Sequence, residues 1–311
     1  MSRHEILFHL PLDWARDLSL ALPYYRRLIA GLRAEGIACD LRVLDRARVL
    51  EAVERDSAFH ILNHGQISHP RVLTAGIAYI YPFWNLDPKG IRAFSSIADL
   101  PFRPARLDQA VARDFFNRLH RRLVQARQSR YEQPQEAEAL PMAEAAIFLQ
   151  SEDHRLVGET CYLDGWTMLE TVLGATSGPV IVKPHPRDRA GATAARLQDL
   201  RRRHPRLHVS TGNIHDIIAA SARVVTINSA VGVETYLHRK PVILCGRTDF
   251  HHIATTCQSA QALHDTLRAP APARHYAKYI HWYFGQMCLN AGAPDLTARF
   301  LARVRATGYL L

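Results

Sequence analysis

Pro179 to Pro186 read Pro-Val-Ile-Val-Lys-Pro-His-Pro, a run of β-branched residues that ends at a proline–histidine–proline sequence. The run predicts a buried strand over Pro179–Lys183, because Val and Ile favour extended backbone and proline cannot continue a strand ladder. A second strand is predicted over Arg223–Ile227, followed by Asn228-Ser229 and a helical pattern. Strands that alternate with helices in this way predict an α/β fold with a parallel, doubly wound sheet.

The first third of the chain shows the same alternation, with a strand predicted over Glu5–Leu10 and a helix over Leu18–Glu35. The polar segment Ser129–Leu140 contains Pro134 and is the best candidate for a linker between two domains. The tail from Tyr276 has a helical pattern. We therefore predict a first domain over 1–138, a second over 139–275 and a helical tail over 276–311 that packs back on the first domain.

Composition excludes several classes of protein. The chain has 311 residues, of which 48% are hydrophobic, so it can fill real cores and is not disordered as a whole. No apolar run reaches the ~18 residues of a membrane span, and the first residues lack a signal-peptide pattern, so we expect a cytoplasmic protein. Five scattered cysteines without a CxxC pair predict free thiols and argue against structural zinc.

The formal net charge of +10 indicates an anionic partner, such as nucleic acid, a membrane surface or a phosphorylated substrate. The basic residues are spread over several predicted helices, which is equally typical of solvated helix faces. No GxGxxG, Walker A or GxSxG sequence occurs, which disfavours dinucleotide oxidoreductases, P-loop proteins and α/β-hydrolases. A non-catalytic basic module that binds nucleic acid or membrane stays open as an alternative.

Three motifs follow predicted strands, and ligands of open parallel sheets bind at the carboxyl ends of the strands. In the first, prolines on both sides of His185 hold it extended beside Lys183, where both side chains can contact a phosphate. The alternative is a strand that ends at prolines with an exposed histidine.

The second motif is Asn228-Ser229, where the start of a helix favours an anion and Glu234 lies about one turn further, within reach of ribose hydroxyls. Here Ser229 can also be a simple helix cap.

The third motif is the segment from Gln150 to Asp153, in which the carboxylate of Asp153 can attack or stabilise an electron-poor carbon. Acidic residues also open turns and helices routinely. The histidine pairs His60/His64 and His251/His252 lack nearby ligands at metal-site spacing, so no metal site is predicted.

In this order, the motifs resemble the bacterial capsule polysaccharide biosynthesis family, which includes retaining β-Kdo transferases. The resemblance spans roughly 63–246 and includes three further sequences, namely Tyr79 to Trp84 with Asp87 and Gly90, Ser129-Arg130-Tyr131, and Lys240 to Ile243. It implies a GT-B-like architecture, in which two Rossmann-like domains face a cleft, here with a C-terminal helical extension. It also implies a CMP-activated acidic sugar, such as Kdo, as the donor.

The resemblance implies that His185 and Ser229 contact the CMP phosphate and that Glu234 contacts the ribose. The other candidates for donor binding are Gln150, Lys183, Pro186 and Asn228, and those for the acceptor side are His64, Tyr79, Trp84 and Asp87. Asp153 and His185 are the catalytic candidates, with Asp153 as the carboxylate that a retaining mechanism needs.

The expected activity is glycosyl transfer from a CMP-sugar to a surface polysaccharide or lipid-linked acceptor, without a cofactor or metal ion. Its partners would be the nucleotide sugar, an anionic glycan or glycolipid, and a membrane surface or capsule assembly proteins, but no nucleic acid. Such an enzyme would work in the cytoplasm, with peripheral attachment to the inner face of the inner membrane as one option. A transferase of the teichoic-acid type, which moves a polyol phosphate from a CDP donor, remains an alternative.

Overall fold

The structure is a computed structural model that describes residues 5–150, 160–188 and 191–310. The strands are β1 (Glu5–Leu10), β2 (Ala38–Val43), β3 (Phe59–Asn63), β4 (Val72–Ile77), β5 (Phe83–Asp87), β6 (Ala145–Phe148), β7 (Val180–Lys183), β8 (Leu207–Val209), β9 (Val224–Thr226), β10 (Val242–Leu244), β11 (Thr255–Thr256) and β12 (Leu289–Asn290). These strands form two six-stranded sheets.

The α-helices are α1 (Leu12–Arg16), α2 (Pro23–Ala34), α3 (Val49–Glu54), α4 (Gln109–His120), α5 (Gly165–Ala175), α6 (Gly191–Arg203), α7 (Ile214–Ala220), α8 (Val231–Leu237), α9 (Ala260–Arg268), α10 (Tyr276–Ile280) and α11 (Leu296–Arg305). Short 3₁₀ helices cover Leu18–Leu20, Arg92–Phe94, Ser96–Asp99, Pro104–Arg106 and His251–Ile253, and π-helical turns cover Arg121–Gln125 and His281–Met287. The predicted helix over Leu18–Glu35 is therefore two elements, because Pro23 fits the first turn of α2 but not a helix interior.

The chain divides into two compact units. The first consists of Met1–Leu100 with Tyr283–Leu311, and the second of Pro101–Trp282. The boundary predicted at 138/139 thus falls inside the second unit, where α4 packs against α8 and α10. The predicted tail over 276–311 is divided, and only its part from Tyr283 onward belongs to the first unit.

The sheet of the first unit has the strand order β12-β5-β4-β3-β1-β2. Strands β1 to β4 pair in parallel, whereas β5 runs antiparallel to β4 and β12 runs antiparallel to β5. Between β4 and β5 the chain makes a turn with a cis peptide bond between Tyr81 and Pro82. The core of the first unit includes Phe8, Tyr24, Tyr25, Trp84 and Phe300, all fully buried.

The sheet of the second unit has the order β11-β10-β9-β6-β7-β8, and all of its pairings are parallel. Alternate residues of β6 lie on opposite faces: Ala145 and Ile147 pack into one apolar cluster, and Ala146 and Phe148 pack into another. The sheet is therefore buried on both faces, as expected when helices cover both sides. The predicted parallel, doubly wound α/β sheet is confirmed here.

Candidate functional site

The three sequence motifs of the second unit follow neighbouring strands. Gln150 comes after β6, His185 after β7, and Asn228-Ser229 after β9, while β6 lies between the other two strands. Because all three strands run in parallel, their carboxyl ends share one edge of the sheet, spaced ~5 Å from strand to strand. The topology thus brings the motifs together as the sequence predicts.

Gln150 is bonded to the loop that follows β9. Its side-chain oxygen accepts a hydrogen bond from the Asn228 backbone N–H at 2.9 Å, and its amide donates to Asn228 Oδ1 at 2.8 Å. The Asn228 amide in turn donates to Thr160 Oγ1 at 2.6 Å. These two predicted donor-binding side chains therefore also hold the loop between β9 and α8 in place.

Ser229 stands at the start of α8, where its hydroxyl oxygen accepts from the Val231 backbone N–H at 3.3 Å. The N-cap position of α8 is Ala230, so Ser229 lies one residue before the cap, and its side chain is half-buried rather than enclosed. Gly232 lies within the first turn, where an added Cβ would come within 2.9 Å of the Phe250 ring. Glycine at this position lets α8 pack closely against Phe250.

His185 is a half-buried imidazole whose tautomer is set by its own turn. Its Nδ1 accepts from the Arg187 backbone N–H at 3.2 Å, so the neutral ring carries its proton on Nε2. Burial lowers the pKa of His185, and the positive charges of Arg187 and Arg130 lower it further, while Asp188 acts in the opposite direction. At neutral pH this side chain is a neutral hydrogen-bond donor through Nε2, with Pro186 exposed beside it.

Lys183 is buried, and its ammonium group holds a neighbouring turn in place. It donates to the backbone carbonyls of Thr211 and Gly212, both at 2.7 Å, in the turn between β8 and α7. Burial lowers the pKa of Lys183, and nearby Glu138 partly offsets this. Two of its three donors are therefore committed to the loop, which leaves one for the predicted phosphate contact.

Glu234 is only 2% exposed on α8 and forms a hydrogen bond with the Ser129 side chain. Burial raises the pKa of Glu234 to about 7, although the Ser129 bond and the positive charge of Arg130 act to lower it. Near neutral pH both protonation states of the carboxyl group are thus populated, and it can donate as well as accept a hydrogen bond.

The segment Ser129–Tyr131 is the part of this site that the residue patterns missed. It was predicted to lie in a linker, but it runs inside the second unit. The Tyr131 ring lies edge-on to the His185 ring, with 5.7 Å between centroids and an angle of 85°. Ser129 meets Glu234, so this short segment contacts two of the predicted site residues. Only its place in the family resemblance marked it in the sequence.

Asp153, the predicted carboxylate of the reaction, lies outside the described residues. Its role as nucleophile or stabilising group therefore stays a prediction.

The acceptor-side candidates lie in the first unit, and two of them are core residues. Trp84 is fully buried and stacks on Tyr24 at 4.2 Å between ring centroids. Asp87 is 3% exposed, and its carboxylate accepts hydrogen bonds from Gly90 N at 3.2 Å and from Ser95 Oγ at 2.9 Å. In this conformation, both stabilise the fold around β5 instead of presenting a side chain to a ligand.

The other two acceptor-side candidates have unusual backbone. His64 and Tyr79 have φ values of 56° and 64°, a left-handed backbone conformation that is uncommon for residues other than glycine. Tyr79 is 4% exposed and lies under the Arg92 guanidinium, 6.0 Å from the ring centroid. Such backbone is found at functional loops as well as at tight turns.

Within the described ranges, no three side chains among His, Cys, Asp and Glu are arranged to hold a metal ion. His60, for which no metal role is predicted, forms hydrogen bonds with His9 at 2.9 Å and with Asp56 at 3.0 Å. None of the helices seen in the described part of the chain combines the length and apolar character needed to cross a membrane.

Two solved structures share this fold over most of their length. One is a β-Kdo 2,7 transferase, KpsC of Thermosulfurimonas dismutans, with a TM-score of 0.58 and 14% identity, covering 98% of this chain and 100% of that one. The other is a β-Kdo 2,4 transferase of KpsC from the same organism, with a TM-score of 0.54 and 14% identity over 90% of each chain. These similarities confirm the predicted GT-B-like α/β fold class.

No curated protein matches the sequence of the chain. The model of one family, described as capsule polysaccharide biosynthesis protein, matches residues 166–290. This range includes Lys183, His185, Ser229 and Glu234, all at or next to the carboxyl edge of the second sheet. Over this part of its length, the chain is similar to the capsule polysaccharide biosynthesis family, in agreement with the resemblance of its sequence motifs.

Proposed function

We propose that this protein is a glycosyltransferase that moves an acidic, Kdo-like sugar from a CMP-activated donor to a surface polysaccharide or lipid-linked acceptor. The observation that carries the proposal is the meeting of His185, Glu234 and the Ser129–Tyr131 segment at one edge of a parallel sheet. The family match over residues 166–290 and a fold shared with two Kdo transferases support the same activity.

The chemistry required at this edge is stabilisation of a departing nucleotide phosphate. As the bond to the anomeric carbon breaks, negative charge grows on the phosphate, and fixed donors aimed at it lower the barrier. The Nε2–H of His185 is such a donor, and the Ser229 hydroxyl is a second one on the neighbouring strand loop. Glu234 would bond to ribose hydroxyls, a role that suits a carboxyl group able to donate or accept.

We further propose that transfer proceeds with retention and that Asp153 supplies the carboxylate opposite the phosphate. A retaining mechanism needs a group that attacks or shields the anomeric carbon between departure of the nucleotide and arrival of the acceptor. Fixed protein donors would take the place of a divalent ion at the phosphate, so we expect activity to persist in EDTA.

The acceptor would be an anionic glycan or glycolipid at the inner face of the inner membrane, reached from the cytoplasm. A net charge of +10 favours such a partner through long-range attraction. Capsule assembly proteins are further expected partners at that surface.

The test is turnover of CMP-Kdo by the purified protein with a capsule-type glycan acceptor. We expect CMP release and Kdo in the product, and a fall of about 10²- to 10³-fold in kcat for His185→Ala, the size of effect seen when one donor to a developing charge is removed. The matched control is His264→Ala, which removes a histidine from the surface of α9. Full activity in His185→Ala would overturn the proposal, and transfer of polyol phosphate from a CDP donor would replace it with the teichoic-acid type of reaction.

A further inference from the structure

Residues 127–135, here called the anchored loop, are fixed to the start of α7. The Asn213 amide donates to the carbonyls of Arg127 at 3.1 Å and Pro134 at 3.2 Å. Three more contacts reinforce the attachment: His215 Nε2 to the Gln128 carbonyl at 2.8 Å, Ile214 N to Gln133 Oε1 at 3.1 Å, and the Arg127–Asp216 ion pair at 2.5 Å. The polar composition that predicts a linker is instead used to bind the loop along its length.

The middle of the anchored loop places an aromatic ring beside two cationic groups. The guanidinium of Arg130 lies 5.7 Å from the centroid of the Tyr131 ring, and that of Arg187 lies 5.1 Å from it. The same ring is edge-on to His185. A guanidinium over an aromatic face is held by the ring's quadrupole while its N–H groups stay directed outward.

Both arginines are exposed, so their donors are open to a dissolved ligand. Arg130 acts electrostatically on His185 and on Glu234, so its charge lies near both of the residues proposed to meet the phosphate and the ribose. The nearby acidic group Asp188 is bonded to Thr193 Oγ1 at 2.7 Å. By contrast, the ammonium of Lys183 is buried against two carbonyls.

We propose that Arg130 and Arg187, held on Tyr131 beside His185, bind the negative charge of the donor phosphate and are the main cations of the donor site. Guanidinium groups suit this task because their planar N–H donors match the geometry of phosphate oxygens. The inference rests on the proposed function and adds to it two arginines and a tyrosine that the motif analysis gave no role.

The test measures binding of CMP and of cytidine by isothermal titration calorimetry, since the two ligands differ only in the phosphate. Arg130→Gln and Arg187→Gln should each weaken CMP binding about tenfold and leave cytidine binding unchanged. Arg202→Gln, which removes an equally charged and exposed residue from α6, should bind both ligands as the wild type does. In 1 M salt, where charges are screened beyond ~3 Å, the difference between wild type and the two variants should shrink.

Two variants of Tyr131 provide a second test of the proposal. Tyr131→Phe keeps the ring and should bind CMP like the wild type, whereas Tyr131→Ala should weaken CMP binding without any change in charge. Wild-type CMP affinity in both arginine variants would overturn this inference and leave the proposed function standing. A wild-type protein that binds neither CMP nor cytidine would overturn both.

Discussion

At the scale of single residues, the carboxyl edge of the second sheet shows how burial sets protonation. His185 and Glu234 have opposite charges when ionised, yet desolvation favours the neutral form of each. The pKa of His185 moves down and that of Glu234 moves up to about 7. Neither side chain is therefore fully ionised at neutral pH, and Arg130 and Arg187 supply exposed positive charge beside them.

Glu234 makes stability depend on pH in a defined window. Its carboxyl titrates near 4.5 in the unfolded chain and near 7 in the folded one, so the folded state binds more protons between these values. The free energy of unfolding should therefore be highest below pH 4.5 with respect to this group and fall by ~3 kcal/mol as the pH rises through 7.

In Glu234→Gln this loss should disappear, because the amide does not titrate. Urea denaturation at pH 5 and pH 8 measures the difference for both proteins, with exposed Glu132→Gln as the control. An equal drop between the two pH values in wild type and Glu234→Gln would show that Glu234 is not the group responsible.

At the scale of elements, the Asn213 side chain at the start of α7 both caps this helix and holds the anchored loop. Asn213 Oδ1 accepts from the His215 backbone N–H at 2.9 Å and caps the helix, while its amide holds the anchored loop. Asp216, in the first turn of the same helix, pairs with Arg127. The beginning of one helix thus determines where Ser129 and Tyr131 stand.

Asn213→Ala should lower the free energy of unfolding by about 2 kcal/mol, because it removes the cap and two buried hydrogen bonds. Asn213→Ser keeps an oxygen that caps the helix but is too short to donate to both carbonyls, and it should recover about 1 kcal/mol of that loss. Chemical denaturation measures both. CMP affinity should fall in each variant, since each releases the anchored loop, and wild-type CMP affinity in Asn213→Ser would contradict this role of the amide.

At the scale of the whole molecule, the end of the chain completes the first unit. Strand β12 pairs with β5, and α11 packs on α2. Phe300 of α11 is fully buried and stacks on Phe8 of β1, with 6.3 Å between ring centroids. A sheet begun by the first residues is therefore closed by residues almost 300 positions later.

Phe300→Ala should destabilise the first unit by about 3–5 kcal/mol, because the removed ring leaves a cavity that the sheet and α2 cannot fill. Urea denaturation followed by tryptophan fluorescence measures the loss, in a background where Trp166 and Trp282 of the second unit are replaced by Phe so that Trp14 and Trp84 report on the first unit. Leu310→Ala, which shortens a side chain that is 83% exposed, should leave the transition unchanged. A Phe300→Ala transition at the wild-type urea concentration would rule out α11 as part of this core.

Local patterns were enough to predict the alternation of strands and helices in the second unit. Strand β7 was found because Val and Ile run up to Pro184, and the edge that gathers His185 and Ser229 follows from parallel pairing alone. Strand β1 was predicted with its observed bounds for the same reason, since an apolar run that ends at a proline is a purely local signal.

Contacts between residues far apart in the chain had to come from the tertiary structure. The polarity of 129–140 is the same in a linker and in a bound loop, and only Asn213, His215 and Asp216, some 80 positions away, make it the latter. Trp84 and Asp87 likewise have side chains that suit a ligand site. In the structure, however, Tyr24 stacks on Trp84 and Ser95 bonds to Asp87, so both side chains belong to the core. Composition and periodicity report what a segment favours by itself, whereas burial and partners depend on which distant segments fold against it.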